Sequence, residues 1–221
     1  MKAKELIAVA ESEVGYIGKK SNAELDSKTA NIVGKFTKYA QDLYEAGYYN
    51  FNKNGWDWCC CFVDWCFLMA ANGNKEEALK VKPVSIYGAV VKYAYEEFEK
   101  IDRTSILPTE GCQVFLFDDS GDGELAHTGI VIKVEEDKIK TIEGNWNNRV
   151  VLKEYSIDDK HIAAYGLPMY EAEPEPEPEP DDDSNNDPDW DSLTHFERIS
   201  SLFSDLAVEF WELAEEEKRN K

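Results

Sequence analysis

Two hydrophobic periods divide the chain. Up to about residue 100, large apolar residues recur every three or four positions, the spacing of one helix face. From residue 112 they alternate with polar residues or run in β-branched blocks bounded by Gly, Asp and Asn, the signature of strands and turns. Residues 1–14 predict a short amphipathic helix with Leu6, Val9, Ala10 and Val14 inward. Residues 15–34 are polar and Asn-rich, a loop with a helical turn. A second helix is predicted over 35–46, with Phe36, Tyr39, Ala40 and Leu43 on one face and Gly47 ending it. Residues 57–72 place Trp58, Phe62, Trp65, Cys66 and Met69 at helical spacing, with Asp57 as the N-cap and Asn72-Gly73 as the stop. A short helical piece at 73–79 precedes Pro83, and a helix follows over 85–100 with Ile86, Val90, Tyr93, Ala94 and Phe98 inward. Strands are expected at 112–117, 128–134, 139–143, 150–155 and 162–165. Helices first and an antiparallel sheet second is an α+β arrangement.

The pattern changes again after residue 170. Residues 173–180 are a Glu-Pro repeat. Proline fixes φ and removes a donor, and the carboxylates repel, so this stretch is expected to be extended polyproline II spanning roughly 25 Å at about 3.1 Å per residue. Residues 181–189 continue as an acidic spacer. Residues 191–218 return to helical spacing, with Thr194 and Glu197 placed as a capping box. The domains are therefore read as 1–170, a compact domain; 171–189, a linker; and 190–221, an amphipathic helix.

Charge sharpens this division. The formal net charge is −21, of which residues 1–170 carry 27 acids against 20 bases, or −7. Residues 171–189 hold ten acids and no base. No basic stripe exists to neutralise phosphate, which excludes nucleic acid as a partner. No apolar run is long enough to span a membrane, so no membrane partner is expected. The N-terminal helix is interrupted by Glu5 and Glu11, which does not fit the apolar core of a signal peptide.

Chemistry concentrates at 55–72, which holds four of the five cysteines. Cys59 falls in the first turn of its helix, where unpaired N–H groups and the helix dipole stabilise an anion and lower a thiol pKa. Cys60, Cys61 and Cys66 lie further along an apolar helix and read as packing residues. Consecutive residues on a helix diverge by about 100° and cannot converge on one metal ion. A nucleophilic thiol needs a base, and there are three histidines. His195 lies beyond the linker and His161 near the end of the compact region. His127 stands at the mouth of a strand, where a side chain can face a cleft. Further on, Glu143 and Asn145 flank Gly144, and either could accept the imidazole N–H and set its tautomer. Glu143 is favoured, because a carboxylate stabilises imidazolium more than an amide does. Most aromatic residues around the Cys helix are read as core, while a few in 48–56 could line a groove for sugar or peptide.

The blocks Trp58-Cys59-x-x-Phe62-Val63-x-Trp65-Cys66, His127-Thr128-Gly129-Ile130-Val131 and Glu143-Gly144-Asn145-Trp146 resemble those of the CHAP family. This is the cysteine- and histidine-dependent amidohydrolase/peptidase family of peptidoglycan hydrolases, relatives of NlpC/P60. The similarity runs over roughly residues 5–170. It implies a papain-like core and implicates Cys59, His127, Glu143 and Asn145 as the catalytic set. Cys112 departs from the pattern, since similar proteins commonly carry aspartate there. No cofactor is implied. Asp118, Ser120 and Asp122 begin like a calcium loop, but its twelfth position is Gly129 rather than the bidentate Glu such a loop requires, which favours a hairpin turn.

The resemblance implies peptidoglycan as partner and an amidase or endopeptidase, with a phage endolysin matching the order of catalytic module, linker and small C-terminal segment. Such an enzyme would be made in the host cytoplasm and act on the wall after release. A non-catalytic wall-binding module of the same fold, or an intracellular cysteine amidohydrolase, are the alternatives. The tail supplies a separate expectation. Leu193, Phe196, Ile199, Leu202, Phe203, Leu206, Phe210 and Leu213 form a broad apolar stripe that a lone helix cannot bury. A homo-oligomer built by residues 190–221 is predicted. Light scattering should give an oligomer for the full chain and a monomer for residues 1–172; a full-length monomer with an unprotected tail would refute it.

Overall fold

The computed structural model describes residues 1–85, 87–118 and 123–171. The linker and the C-terminal segment read from the sequence lie outside the described residues, apart from Glu171. The described part is α+β, with an antiparallel sheet and five α-helices, consistent with a papain-like core. The helices are α1 (Ala3–Ser12), α2 (Lys38–Glu45), α3 (Cys59–Ala70), α4 (Lys75–Val81) and α5 (Val91–Glu99). The strands are β1 (Thr104–Ser105), β2 (Gln113–Phe117), β3 (Leu125–Val134), β4 (Lys138–Trp146), β5 (Arg149–Ser156) and β6 (Ile162–Gly166). They form one sheet in the order β1-β6-β2-β3-β4-β5. Among the described residues no helix is long and apolar enough to cross a membrane.

Local chemistry explains where two of the helices start. The Thr37 hydroxyl accepts from the Ala40 N–H at 3.2 Å to cap α2, so Phe36 falls outside the helix. Asn74 caps α4 by accepting from the Glu76 and Glu77 N–H groups. Three expectations need correction. α1 ends at Ser12 with Glu13 as its C-cap, which leaves Val14 exposed rather than inward. Asp57 does not cap α3: Trp58 occupies that position, and the Asp57 carboxylate accepts from Lys35 and Asn145 instead. α5 begins six residues later than 85 and buries Val91, Ala94 and Phe98, while Val90 and Tyr93 are exposed. The cause is the preceding loop, where Gly88 takes φ +44° and lies against the Tyr49 ring; a Cβ there would stand 2.4 Å from ring carbons. Ile86 lies outside the described residues.

The strands run further than their hydrophobic pattern, because pairing extends them. β3 begins at Leu125, with Leu116 opposite His127 and Phe117 opposite Leu125. His127 therefore sits inside a strand. β4 continues through Asn145 and Trp146, with a register shift between Glu143 and Trp146.

α3 is the centre of the core. Every residue from Cys59 to Leu68 is buried. One face packs on β3 and β4. The other meets α1 and α2, α2 through an aromatic cluster in which the Tyr39 ring lies 4.7–5.6 Å from those of Tyr16, Trp58, Phe62 and Trp65. Helix and sheet meet most closely at Gly144, where a Cβ would stand 2.3 Å from the Phe62 Cβ. Cys61 and Cys66 are core residues as expected, and burial raises both thiol pKa values. Cys112 belongs to a second apolar cluster with Val114, Leu116, Val131, Ile139 and Tyr165. Burial pushes its thiol up to about 12, and the apolar surroundings account for a cysteine where an aspartate would be costly.

A charge lies inside this core. Asp64 on α3 is buried and accepts from Lys82 Nζ at 2.6 Å and from the Tyr49 hydroxyl. Removing one partner of such a pair strands the other charge in low dielectric. Asp64→Ala should therefore destabilise the domain by roughly 3–5 kcal/mol, measured by urea unfolding, whereas Asp64→Leu with Lys82→Met should recover most of that loss.

Candidate active site

Three of the four residues singled out in the sequence converge at the N-terminal end of α3. Cys59 is the first residue of the helix, and its N–H donates to no backbone acceptor among the described residues. Its thiol is hydrogen-bonded to His127 on β3 and to the thiol of Cys60. His127 Nε2 lies 3.0 Å from Glu143 Oε2, which leaves Nδ1 as the ring nitrogen able to serve the thiol. Glu143 is wholly buried, and its second oxygen accepts from the Thr141 hydroxyl at 2.6 Å. The Glu143 side chain reaches His127 across Gly129, where a Cβ would stand 2.5 Å from the Glu143 Cγ. A residue with any side chain at 129 would block the carboxylate's path.

Asn145 is not brought to the imidazole. It takes φ +66° where β4 loses register, and its amide donates to Asp57 Oδ1 at 2.9 Å. Lys35 Nζ also donates to this oxygen, at 2.6 Å. These contacts hold the segment before α3 against β4. Trp146 covers the imidazole instead, with ring centroids 5.6 Å apart at 71°. His161 sits away from this cluster and pairs with Asp159 at 2.8 Å. Ser120 and Asp122 of the calcium-like stretch lie outside the described residues, while Gly129, its twelfth position, is a buried residue of β3. Among the described residues no group of three His, Cys, Asp or Glu is placed to hold a metal ion.

In front of Cys59 lies a cleft of about 480 Å³, walled by Phe51, Trp56, Tyr87, Val90 and Leu125 among others. Phe51, Trp56 and Tyr87 are exposed, whereas Tyr48 and Tyr49 are buried. The aromatic 48–56 stretch thus divides into core and groove.

Residues 49–145 match the family model of the CHAP domain. This stretch of the chain is similar to the CHAP domain. The matched segment begins just ahead of the cleft residues and ends at Asn145, so it contains Cys59, His127 and Glu143. No curated protein matches the sequence. Among solved structures, the crystal structure of Ly7917 is similar at 15% identity and a TM-score of 0.44, covering 76% of this chain. Its structure with the hydrolysing product of MDP is similar at 16% identity and a TM-score of 0.44. This chain spans 63% of the length of that protein.

Within this cluster the electrostatics favour a thiolate–imidazolium pair. The Cys60 thiol, the His127 ring with its charge, and the Cys60 N–H together lower the Cys59 pKa against the opposing effect of burial. Burial alone would lower the His127 pKa. The hydrogen bonds and charges of Cys59 and Glu143 outweigh it, and the pKa is raised. Cys60 is thus more than packing: its own pKa is raised because its proton is shared with Cys59 and because it is buried. Adjacency to Cys59 was its only sequence signal. Trp146 was visible as part of a motif, but nothing in the sequence placed it over the imidazole.

The sign of the pH dependence follows. A depressed thiol pKa keeps Cys59 ionised below the ordinary thiol range, while the raised imidazole pKa keeps His127 charged above the ordinary histidine range. Alkylation of Cys59 by iodoacetamide should therefore begin its rise well below pH 8 and stay flat through neutrality. The other four cysteines are buried, with raised pKa values. Glu143→Gln should move the rise toward the ordinary thiol value, and Asn145→Ala should move it much less. A wild-type rise centred near pH 8.5 would show that no ion pair forms.

Proposed function

We propose that this chain is a peptidoglycan hydrolase that cleaves an amide bond through a covalent thioester on Cys59. The bond is that of an N-acetylmuramoyl-L-alanine amidase or of a stem-peptide or cross-bridge endopeptidase. The observation that carries this reading is the alignment of Cys59, His127 and Glu143 at the end of an open, aromatic-walled cleft. The CHAP match over the same residues supports it.

In this reading the Cys59 thiolate attacks the amide carbonyl, and the carbonyl oxygen becomes an oxyanion. The Cys59 N–H, unpaired in the first helical turn, donates to that oxygen. The His127 imidazolium gives its proton to the departing amine, and the C–N bond breaks to leave the thioester. His127, now neutral, takes a proton from water as the water attacks. Collapse releases the carboxylic acid product and returns the thiolate–imidazolium pair. Glu143 holds the imidazole in the tautomer and orientation that both steps need. Asn145 acts at a distance, by fixing the approach to α3 through Asp57. No metal or organic cofactor has a part in these steps. The setting proposed is that of a phage endolysin, made in the host cytoplasm and acting on the wall after release.

Purified peptidoglycan incubated with the full chain should release fragments whose masses identify the bond. Cys59→Ala and His127→Ala should each reduce release by about 10⁴-fold or more, as removal of a nucleophile or its base does, with thermal unfolding near that of the wild type. Asn145→Ala should cost far less than Glu143→Ala. Retained activity in Cys59→Ala would refute the nucleophile. Wall binding without fragment release by the wild type would favour a non-catalytic module.

A further inference from the structure

The cleft contains a cation that the reaction above does not use. Lys53 lines it beside Cys59 and is 5% exposed. Its ammonium donates to the Tyr87 carbonyl at 2.9 Å and stands 3.2 Å over the Phe51 ring centroid. An ammonium has three donors and no acceptor, so two N–H groups have no partner among the described residues. No carboxylate of the described residues pairs with it. The other buried lysines are provided for: Lys82 has Asp64, and Lys19 donates to the carbonyls of Ile17 and Ser27. A single backbone contact could be made by a neutral donor. A buried cation without a counter-ion is costly, and the burial does lower the Lys53 pKa. Asp57, the acid on the cleft wall, is already engaged by Lys35 and Asn145. The cleft therefore holds an uncompensated positive charge inside a domain whose 1–170 segment is net negative.

We propose that Lys53 reads an anion in the substrate: its ammonium receives a free carboxylate of the stem peptide close to the scissile amide. This rests on the peptidoglycan reading and deepens it. Stem peptides bear carboxyl groups that stand free or as carboxamides. A carboxylate accepts both spare N–H groups with charge assistance, whereas a carboxamide offers one neutral oxygen and brings its own unmatched donors. The chain's acidic surface repels anions over about a Debye length, so a cation inside the cleft is where selection for a carboxylate can be made. The Phe51 ring beside it restricts water and strengthens the contact. Lys53 is thus a specificity-determining residue, and the enzyme favours walls whose stem carboxyl groups are not amidated.

The test uses the full chain and two synthetic muropeptides, N-acetylmuramoyl-L-Ala-γ-D-Glu-L-Lys-D-Ala with free peptide carboxyl groups and the same compound with those groups as carboxamides. Each is measured as a substrate, by kcat/KM, and as a ligand that protects Cys59 from iodoacetamide. The wild type should prefer the free acid by about tenfold or more, the ratio expected for one hydrogen-bonded charge, and chiefly through KM. Lys53→Met should bring that ratio close to one, and Lys53→Arg should retain a preference. Reaction of Cys59 with iodoacetamide in both variants checks that the site is assembled. Equal protection of the wild type by both peptides overturns the assignment, whether or not they are cleaved. Selective protection by the free acid upholds Lys53, and if purified peptidoglycan then releases no fragments it is the hydrolase reading that falls.

Discussion

The site depends on one close approach, that of α3 to β4 at Gly144. With a Cβ at 144 the helix would have to retreat from the sheet, because the Phe62 Cβ already stands where that atom would be. Cys59 lies three residues before Phe62 on the same helix, and Glu143 immediately precedes Gly144 on the strand. The packing distance therefore also sets the spacing between Cys59 and the strands that carry His127 and Glu143. Gly129 does the same work one strand over, by leaving room for the Glu143 side chain to cross β3 and meet His127. Two missing side chains align three reactive ones.

Around this contact the domain distributes its buried charge in closed groups. Glu13 accepts from Tyr39 at 2.8 Å and pairs with Lys38 at 2.9 Å under α2. Asp64, Lys82 and Tyr49 form a second group behind α3. Cys59, His127 and Glu143 form the third, at the helix's N-terminal end. Buried ions persist only where geometry and further hydrogen bonds offset their desolvation. In the first two groups the members have no reaction to perform, and their result is a fixed seat for α3. In the third the partners can exchange a proton, and the same compensation favours a thiolate–imidazolium pair. Lys53 differs from all three in lacking an acid.

The cleft wall shows how stability and access are joined. Tyr49 is anchored by Asp64 inside the core, and its outer ring face supports Gly88. That support sets the course of the loop carrying Tyr87, Ala89 and Val90 along the cleft. Trp146, at the far side, leans on the imidazole and is itself covered by Lys153 at 3.6 Å. The rings that face the groove are thus held by neighbours whose other contacts lie in the core or on the sheet.

Helical and strand periods in the chain were enough to identify an α+β domain and to put Cys59 in the first turn of its helix. These are local properties: the period of apolar residues and the orphan N–H groups of a first turn depend on neighbours a few positions away. Boundaries were less legible. The 85–100 period did not reveal that α5 starts at Val91, because Gly88 and its contact with Tyr49 decide the preceding loop. Asp57 looked like a cap and became a tie to Lys35 and Asn145, partners 22 and 88 residues away. The choice between Glu143 and Asn145 could not be made from spacing, since positions two apart share a strand face when a strand is regular. In the structure the register is lost after Glu143, Asn145 takes φ +66° and bonds Asp57, and it is Glu143 that meets His127. Lys53 read as one more polar loop residue. Its burial among Phe51, Tyr87 and the cleft floor comes from segments that meet only when α3 is seated on the sheet, and no local pattern encodes that meeting.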